Sequence, residues 1–325
     1  MVSIVLALLV VALFVGSLAV GRAPISLLQV MTSVLGDDLS LVAIVVQEIR
    51  LPRAVLAVAV GATLGVAGAA LQGLLRNPLA EPGLVGISGC AAFGAVIAFY
   101  SGFSLWFPLA LPLSGVAGAF IAVVLIYLLA GRESSILTLI LAGIAINSLA
   151  GALTILALNL SPNPYASFEI FFWLLGSLAD RSFEHVALAI PPMVVGLVLL
   201  LSVGRPLDAL TLGEDAASSL GFDLRWVRLR IILGTAFAVG PAVSVSGVIG
   251  FVGLVVPHLL RPLVAHQPAL LLPISALGGA ALTLAADIAV RFVATGPELK
   301  LGVLTALIGA PFFLYLVITT RRSMQ

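Results

Sequence analysis

An all-α, polytopic transmembrane helical bundle of about ten spans is the fold class that this sequence predicts, and three observations predict it. Hydrophobic residues make up 62% of the 325 and charged residues only 9%, against about 45 to 50% apolar in a soluble domain, so the chain has too little polar surface to cover itself in water. Apolar runs close to the roughly 20 residues needed to cross a bilayer core recur along it, separated by short polar breaks. Those runs lack the period-2 alternation of barrel strands, and backbone in lipid must satisfy its own polar groups, which leaves helices.

The first run, Ile4 to Val20, lacks a basic leading segment and is followed by many others, so it reads as a retained first helix in preference to a signal peptide. Pro24 to Leu35 is too short to span. Its Ile25, Leu28, Met31 and Leu35 recur at helical spacing, which suits a helix lying along the interface before Asp37 and Asp38 interrupt. The second span is expected to start after Arg50-Leu51-Pro52-Arg53, and its Gly61, Gly65 and Gly68 form a small-residue face that admits another helix closely. RNPLAEPG, Arg76 to Gly83, is polar and twice broken by proline, so it reads as a turn at the membrane face.

Further runs cover about Leu84 to Tyr100, Phe107 to Ala130 and Ile136 to Leu158, the last two separated by Gly131-Arg132-Glu133. Ser161 to His185 is a longer connector with an aromatic piece, Phe171-Phe172-Trp173, at home at a water boundary. Val186 to Val203 spans again. Within the charged stretch Gly204 to Arg230, Gly213-Glu214-Asp215 opens a short helix and Gly221 closes it, the expected cap polarity. Ile231 to Val245, Val248 to Leu260, Leu270 to Val290 and Gly302 to Ile318 complete the ten, in one domain over residues 1–325.

Alternating the ten spans puts nine bases on one side (Arg76, Arg132, Arg205, Arg225, Arg228, Arg230, Arg261, Arg321 and Arg322) and six on the other (Arg22, Arg50, Arg53, Arg181, Arg291 and Lys300). The bias assigns the Gly204 to Arg230 loop and both termini to the cytoplasm. A net charge of +1 without a basic run gives no sign of nucleic-acid binding.

No ionisable residue sits mid-span, the nearest being Asp287 and Arg291, which argues against an ion-coupled carrier. The chain has no phosphate-cradling loop, so any ATP must be hydrolysed by another chain. It also lacks the clustered Ser/His, Asp/Asp or metal constellation of an intramembrane enzyme. Cys90, alone among small apolar residues, is read as packing. His258 has no second ligand at useful spacing and is read as a helix-end hydrogen-bonding group instead of a metal ligand. Gly247, Gly250 and Gly253, at i, i+3 spacing, are read as a helix-packing face.

Seven stretches, in order and spread over nearly the whole chain, carry a family resemblance: Arg50-Leu51-Pro52-Arg53; QGLLRNPLAEPG from Gln72; WLLGSL from Trp173; LGEDAASSLG from Leu212; GVIGFVGLVVPHLLR from Gly247; Asp287 to Arg291; and Gly309-Ala310-Pro311. The chain resembles the permease subunit of ATP-binding-cassette importers for iron-siderophores, haem and cobalamin. That resemblance implies a transport subunit and no enzyme, working as a homodimer of ten-helix chains by alternating access in the bacterial inner membrane. Two ATP-binding subunits below would hold ATP and Mg, with no cofactor in this chain. A periplasmic or lipoprotein substrate-binding protein would dock above.

It further implies that Arg50, Arg53 and Arg291 face acidic residues of the binding protein. The alternatives are that Arg50 and Arg53 only anchor a helix at the headgroups and that Arg291 only pairs with Asp287. Leu212, Gly213, Glu214, Asp215, Ala216, Ala217, Ser218, Leu220 and Gly221 match the helix that seats on the ATPase. Asn77 and Leu79 match a cytoplasmic constriction, and Ile136 and Leu137, in the loop from Ser134, stand at a second gating element where small hydroxyl residues can occur. Two departures stand out: Ala265-His266-Gln267-Pro268 replaces a Gly-x-Asp-His-Arg-like turn, and Lys300 replaces a common proline. An iron chelate, siderophore or haem, ranks ahead of cobalamin on family breadth alone.

Overall fold

The computed structural model describes residues 1–21, 25–35, 40–107, 109–131, 136–161, 163–293 and 298–323, and every regular element among them is helical. Of the residues named above, Arg22, Pro24, Asp37, Asp38, Arg132, Glu133, Ser134 and the side chains of Leu35, Ile136, Arg321 and Arg322 lie outside the described set. In chain order the elements are α1 (Val2–Ala19), α2 (Leu27–Leu35), α3 (Leu41–Leu75), α4 (Ile87–Tyr100), α5 (Ala110–Ala130), α6 (Ile136–Asn159), α7 (Pro164–Leu174) and α8 (Phe183–Leu201). Then follow α9 (Gly204–Leu210), α10 (Glu214–Ser219), α11 (Leu224–Ser246), α12 (Val252–Leu260), α13 (Pro268–Val293) and α14 (Leu301–Ser323).

Among the described residues eight helices are long and apolar enough to cross a membrane, and two shorter apolar ones cover Ile87–Tyr100 and Val252–Val264. The ten runs marked in the sequence therefore all return as helices. They form an all-α polytopic bundle, as expected from composition.

The inner layer is set by small residues. About 78% of the apolar window is buried in α3 and in α11, against 11% in α1, because α3 offers glycines where its neighbours come closest. A Cβ at Gly61 would sit 2.2 Å from the Gly279 carbonyl oxygen of α13, and one at Gly65 2.1 Å from that of Ser275. A Cβ at Gly68 would lie 1.9 Å from the Gly253 carbonyl oxygen of α12. The small-residue face is thus a backbone-to-backbone contact with two partners. Cys90 is buried in the same core.

Three expectations are corrected. The helix carrying Gly61 does not begin after Pro52 but reaches back to Leu41, widening into a π turn over Val45–Arg50; loosening the turn ahead of Pro52 relieves the clash a proline makes with the preceding carbonyls. Gly247, Gly250 and Gly253 do not form one helix face, because residues 247–250 are unwound and only Gly253 lies in α12. A Cβ at Gly247 would press on the Trp173 carbonyl, whereas one at Gly250 would meet nothing within 4 Å. Finally, RNPLAEPG is more than a surface turn: Arg76 and Asn77 are exposed, but Ala80 and Pro82 are buried, and Pro82 packs beside Gly253.

Candidate functional site

The sequence-marked residues gather at the two ends of α3. At the first end, the π turn aims Arg50 across the bundle, and its Nη1 donates to the carbonyls of Leu18 and Ala19, both at 2.8 Å. Arg291, on α13, donates from Nη1 to the Ser17 and Val20 carbonyls at 2.8 and 3.0 Å. These are carbonyls at the C-terminal end of α1, where the helix leaves acceptors without partners and its dipole favours cations. Gly21 lets this happen, since a Cβ there would lie 2.6 Å from the Arg50 guanidinium.

Arg53 faces the other way. Its Nε and Nη2 hold Asp287 at 3.0 and 2.8 Å, and its Nη1 reaches Glu298 at 3.2 Å. Asp287 is fully buried and also pairs with Arg291 one turn along α13. Three arginines, two carboxylates and one helix end thus form a closed cluster, in which the most accessible carboxylate is Glu298, 25% exposed, against 12% for Arg53 and 6% for Arg50. Of the alternatives weighed on the sequence, pairing of Arg291 with Asp287 is present; Asp287 also binds Arg53, a contact 234 residues apart in the chain that no local spacing announces.

At the second end of α3, Gln72 is buried and bridges two elements. Its Nε2 donates to the carbonyls of Gly253 and Leu254, each at 3.3 Å, while its Oε1 accepts from Arg261 at 2.6 Å. Pro257 has no N–H to give to the Gly253 carbonyl one turn back, and Gln72 supplies the missing donor. The sequence placed Gln72 at the start of the QGLLRNPLAEPG stretch without giving it a role; the signal was a lone amide in an apolar run, one turn before Arg76. Glu81 accepts from the Phe251 N–H where α12 begins, and burial pushes its carboxyl above the usual range, opposed by that hydrogen bond.

The expected gate residues have separate settings within the chain. Asn77 is exposed and accepts from the Leu79 N–H at 2.9 Å, which fixes the turn. Leu79 packs on Leu254, Val255 and Leu316. Leu137 is exposed at the start of α6. His258 does not end a helix by hydrogen bonding as expected: among the described residues its Nδ1 has no partner, and the ring packs edge-on against Phe312 at 5.7 Å.

Beside this end stands α10. Glu214 and Asp215 open it, Gly221 closes it with a φ of +88°, and the Phe222 and Gly221 N–H groups reach back to the Ala217 and Ser218 carbonyls. That is a Schellman closure, available here because glycine takes the left-handed conformation freely. Ala217 is buried; Leu212 and Leu220 are 72% and 61% exposed, and Ala216, Gly213 and Ser218 lie between them along the helix. Glu214 pairs with Arg228 of α11 at 3.0 Å, and Asp208 of α9 caps α13 at the Ala269 N–H, 2.8 Å. The short helix is therefore tied to α11 directly, and its neighbour α9 to α13, while it presents leucines outward.

The FecCD transport family matches residues 8–319. The vitamin B12 import system permease protein BtuC of Vibrio cholerae is 44% identical over 282 residues, covering 86% of this chain and 84% of that protein. The hemin transport system permease protein HmuU of Yersinia pestis is 41% identical over 281 residues, covering 85% and 84%. A solved structure described as an inward-facing conformation of a proposed metal-chelate type ABC transporter superposes with a TM-score of 0.85 at 36% identity, covering 98% of both chains.

Proposed function

We propose, from the premise that this chain belongs to the FecCD transport family, that it is the permease subunit of an ATP-driven importer for a metal chelate. The observation that carries this reading is the family match over nearly the whole length. The finer reading is an iron chelate, siderophore or haem, with cobalamin as the alternative; relatives that import B12 and hemin stand at 44% and 41% identity, too close to choose between. Two copies of the chain would enclose the path in the bacterial inner membrane, with both termini cytoplasmic, and work by alternating access.

The residues fit separate roles in that machine. The capped helix from Leu212 to Gly221 would seat on an ATP-binding subunit, which holds the ATP and Mg. Its ties to α11 and, through α9, to α13 give closure of that subunit a rigid path into the bundle. Asn77 and Leu79, with Ile136 and Leu137, would form the cytoplasmic constriction. Arg50, Arg53 and Arg291 would meet the binding protein, and because Arg53 already holds Glu298, a partner carboxylate would dock by displacing that acid.

The test is a nucleotide-free pull-down of the tagged chain from native membranes. An ATP-binding subunit and a ligand-loaded binding protein are expected to come down with it; recovery of the chain alone in several mild detergents would sink the reading. Leu212→Asp with Leu220→Asp should weaken recovery of the ATP-binding subunit at least about tenfold, as loss of central apolar anchors does, and leave the binding protein bound.

A further inference from the structure

A half-open cavity of about 400 Å³ lies at the Arg50 end of the bundle, lined by the end of α4, the start of α5, α7, the residues leading into α8 and its first turn, Ser244 of α11, and Lys300. One wall is aromatic: Phe99 and Trp173 stack edge to face at 6.0 Å, with Phe172 beside them. Two cations share the cavity, and neither has a carboxylate partner among the described residues. Arg181 spends its Nε on the Val245 carbonyl and its Nη1 on that of Asp180, at 3.5 Å. Lys300 is half-buried, and its ammonium makes no hydrogen bond or ion pair among the described residues, although its carbonyl accepts the Val303 N–H at 3.1 Å. His185 also lines the space. Its Nδ1 accepts the Ser182 N–H at 3.3 Å, so its neutral ring carries the proton on Nε2 as a further donor.

Half-buried cations are normally neutralised, as Arg53 and Arg291 are at the neighbouring cluster. Burial lowers the proton affinity of the Arg181 guanidinium, and Asp180 only partly offsets this. Glu169 and Asp180 sit on the same cavity, yet both are exposed and neither carboxylate reaches Arg181 or Lys300 in an ion pair among the described residues. An aromatic wall beside cations that hold no carboxylate is the chemistry that receives a flat, apolar body carrying carboxylates. A volume of this size holds one edge of a chelate and its acidic arm.

We propose that this cavity is a subsite for a carboxylate-bearing, flat-bodied solute, gripped by Arg181 and Lys300 and stacked on Trp173 and Phe172. The proposal rests on the import reading and adds the solute's chemical class to it. Lys300 in place of a proline, the second departure noted in the sequence, is an outer-face charge that acquires a ligand here.

The probe is hemin, a flat macrocycle with carboxylate arms, compared with its uncharged dimethyl ester. Equilibrium binding to the full chain in lipid nanodiscs is read by quenching of tryptophan fluorescence, with empty nanodiscs subtracted. Hemin is expected to bind about tenfold tighter than the ester, and Lys300→Gln and Arg181→Gln each to weaken hemin about tenfold, the worth of a charge-assisted hydrogen bond. Lys300→Gln breaks no hydrogen bond or ion pair of that side chain among the described residues, so it keeps the test valid if the Arg181 variant fails to fold. Equal binding of acid and ester, no binding above empty nanodiscs, or hemin affinity unchanged in Lys300→Gln would each overturn the subsite. ATP-dependent uptake by the wild-type chain with its partners is measured separately: its absence would remove the import reading, while nanodisc binding, which needs no ATPase, still decides the subsite.

Discussion

The two ends of α3 solve opposite problems. At the Arg50 end, charged side chains turn inward and are spent on each other and on the end of α1, so that Asp287 is fully buried between two guanidiniums. At the Asn77 end, Gln72 and Glu81 are spent on backbone groups of the broken helix α12, and what faces outward is apolar, Leu212 and Leu220 on a capped helix. Buried charge at one end reports internal architecture. Exposed leucine on a rigid, capped helix is the surface that the proposed ATP-binding subunit would cover. Residue type alone would not have separated the two ends: the arginines are already held within the chain before any partner docks, whereas Leu212 and Leu220 are exposed on it.

Breaking the first end should have the largest effect. Asp287→Ala leaves Arg53 and Arg291 buried with one carboxylate fewer, and stability should fall by about 3 to 5 kcal/mol, the cost of stranding a buried charge. Thermal unfolding of the purified chain checks this; a change under about 1 kcal/mol would mean that water already reaches the cluster and that it behaves as a surface pair. Breaking the second end should cost less. Gln72→Leu keeps the volume but strands the Gly253 carbonyl and frees Arg261, for about 1 to 3 kcal/mol, and protection of α12 amides against hydrogen exchange should fall before that of α13.

Much of this was legible in the sequence. The ten runs, the cap polarity of Glu214 to Gly221 and the close face of Gly61, Gly65 and Gly68 are local signals, and each returns in the structure. What the sequence hid is of two kinds. Pro52 reads as a helix start because proline lacks an N–H, yet a π turn just ahead of it carries the helix back to Leu41; the choice depends on Arg50 finding the end of α1, which no window contains. Likewise the partners of Gln72 and Arg53 lie more than 180 residues away along the chain. Spacing shows which residues share a helix face, and tertiary packing alone shows what that face meets.

The smallest expected effect sharpens the comparison most. Glu81 has one backbone donor, Phe251, and burial raises its folded-state pKa above the unfolded value near 4.5. A raised carboxyl pKa means that the folded chain binds this proton more tightly, so its contribution to stability is full below the unfolded value and is lost as pH rises through the folded one. Glu81→Gln keeps an oxygen for the Phe251 N–H and cannot ionise. Between about pH 4 and about pH 8 the wild type should therefore lose stability relative to Glu81→Gln, with the two closest at the acid limit. Parallel curves would mean that the carboxylate is hydrated where the turn meets α12, and the Asn77 end would then be held by Gln72 alone. A gap that opens with pH means that the turn is sealed against α12 around one reluctant charge, so that the residues bearing Asn77 and Leu79 move only when α12 moves with them.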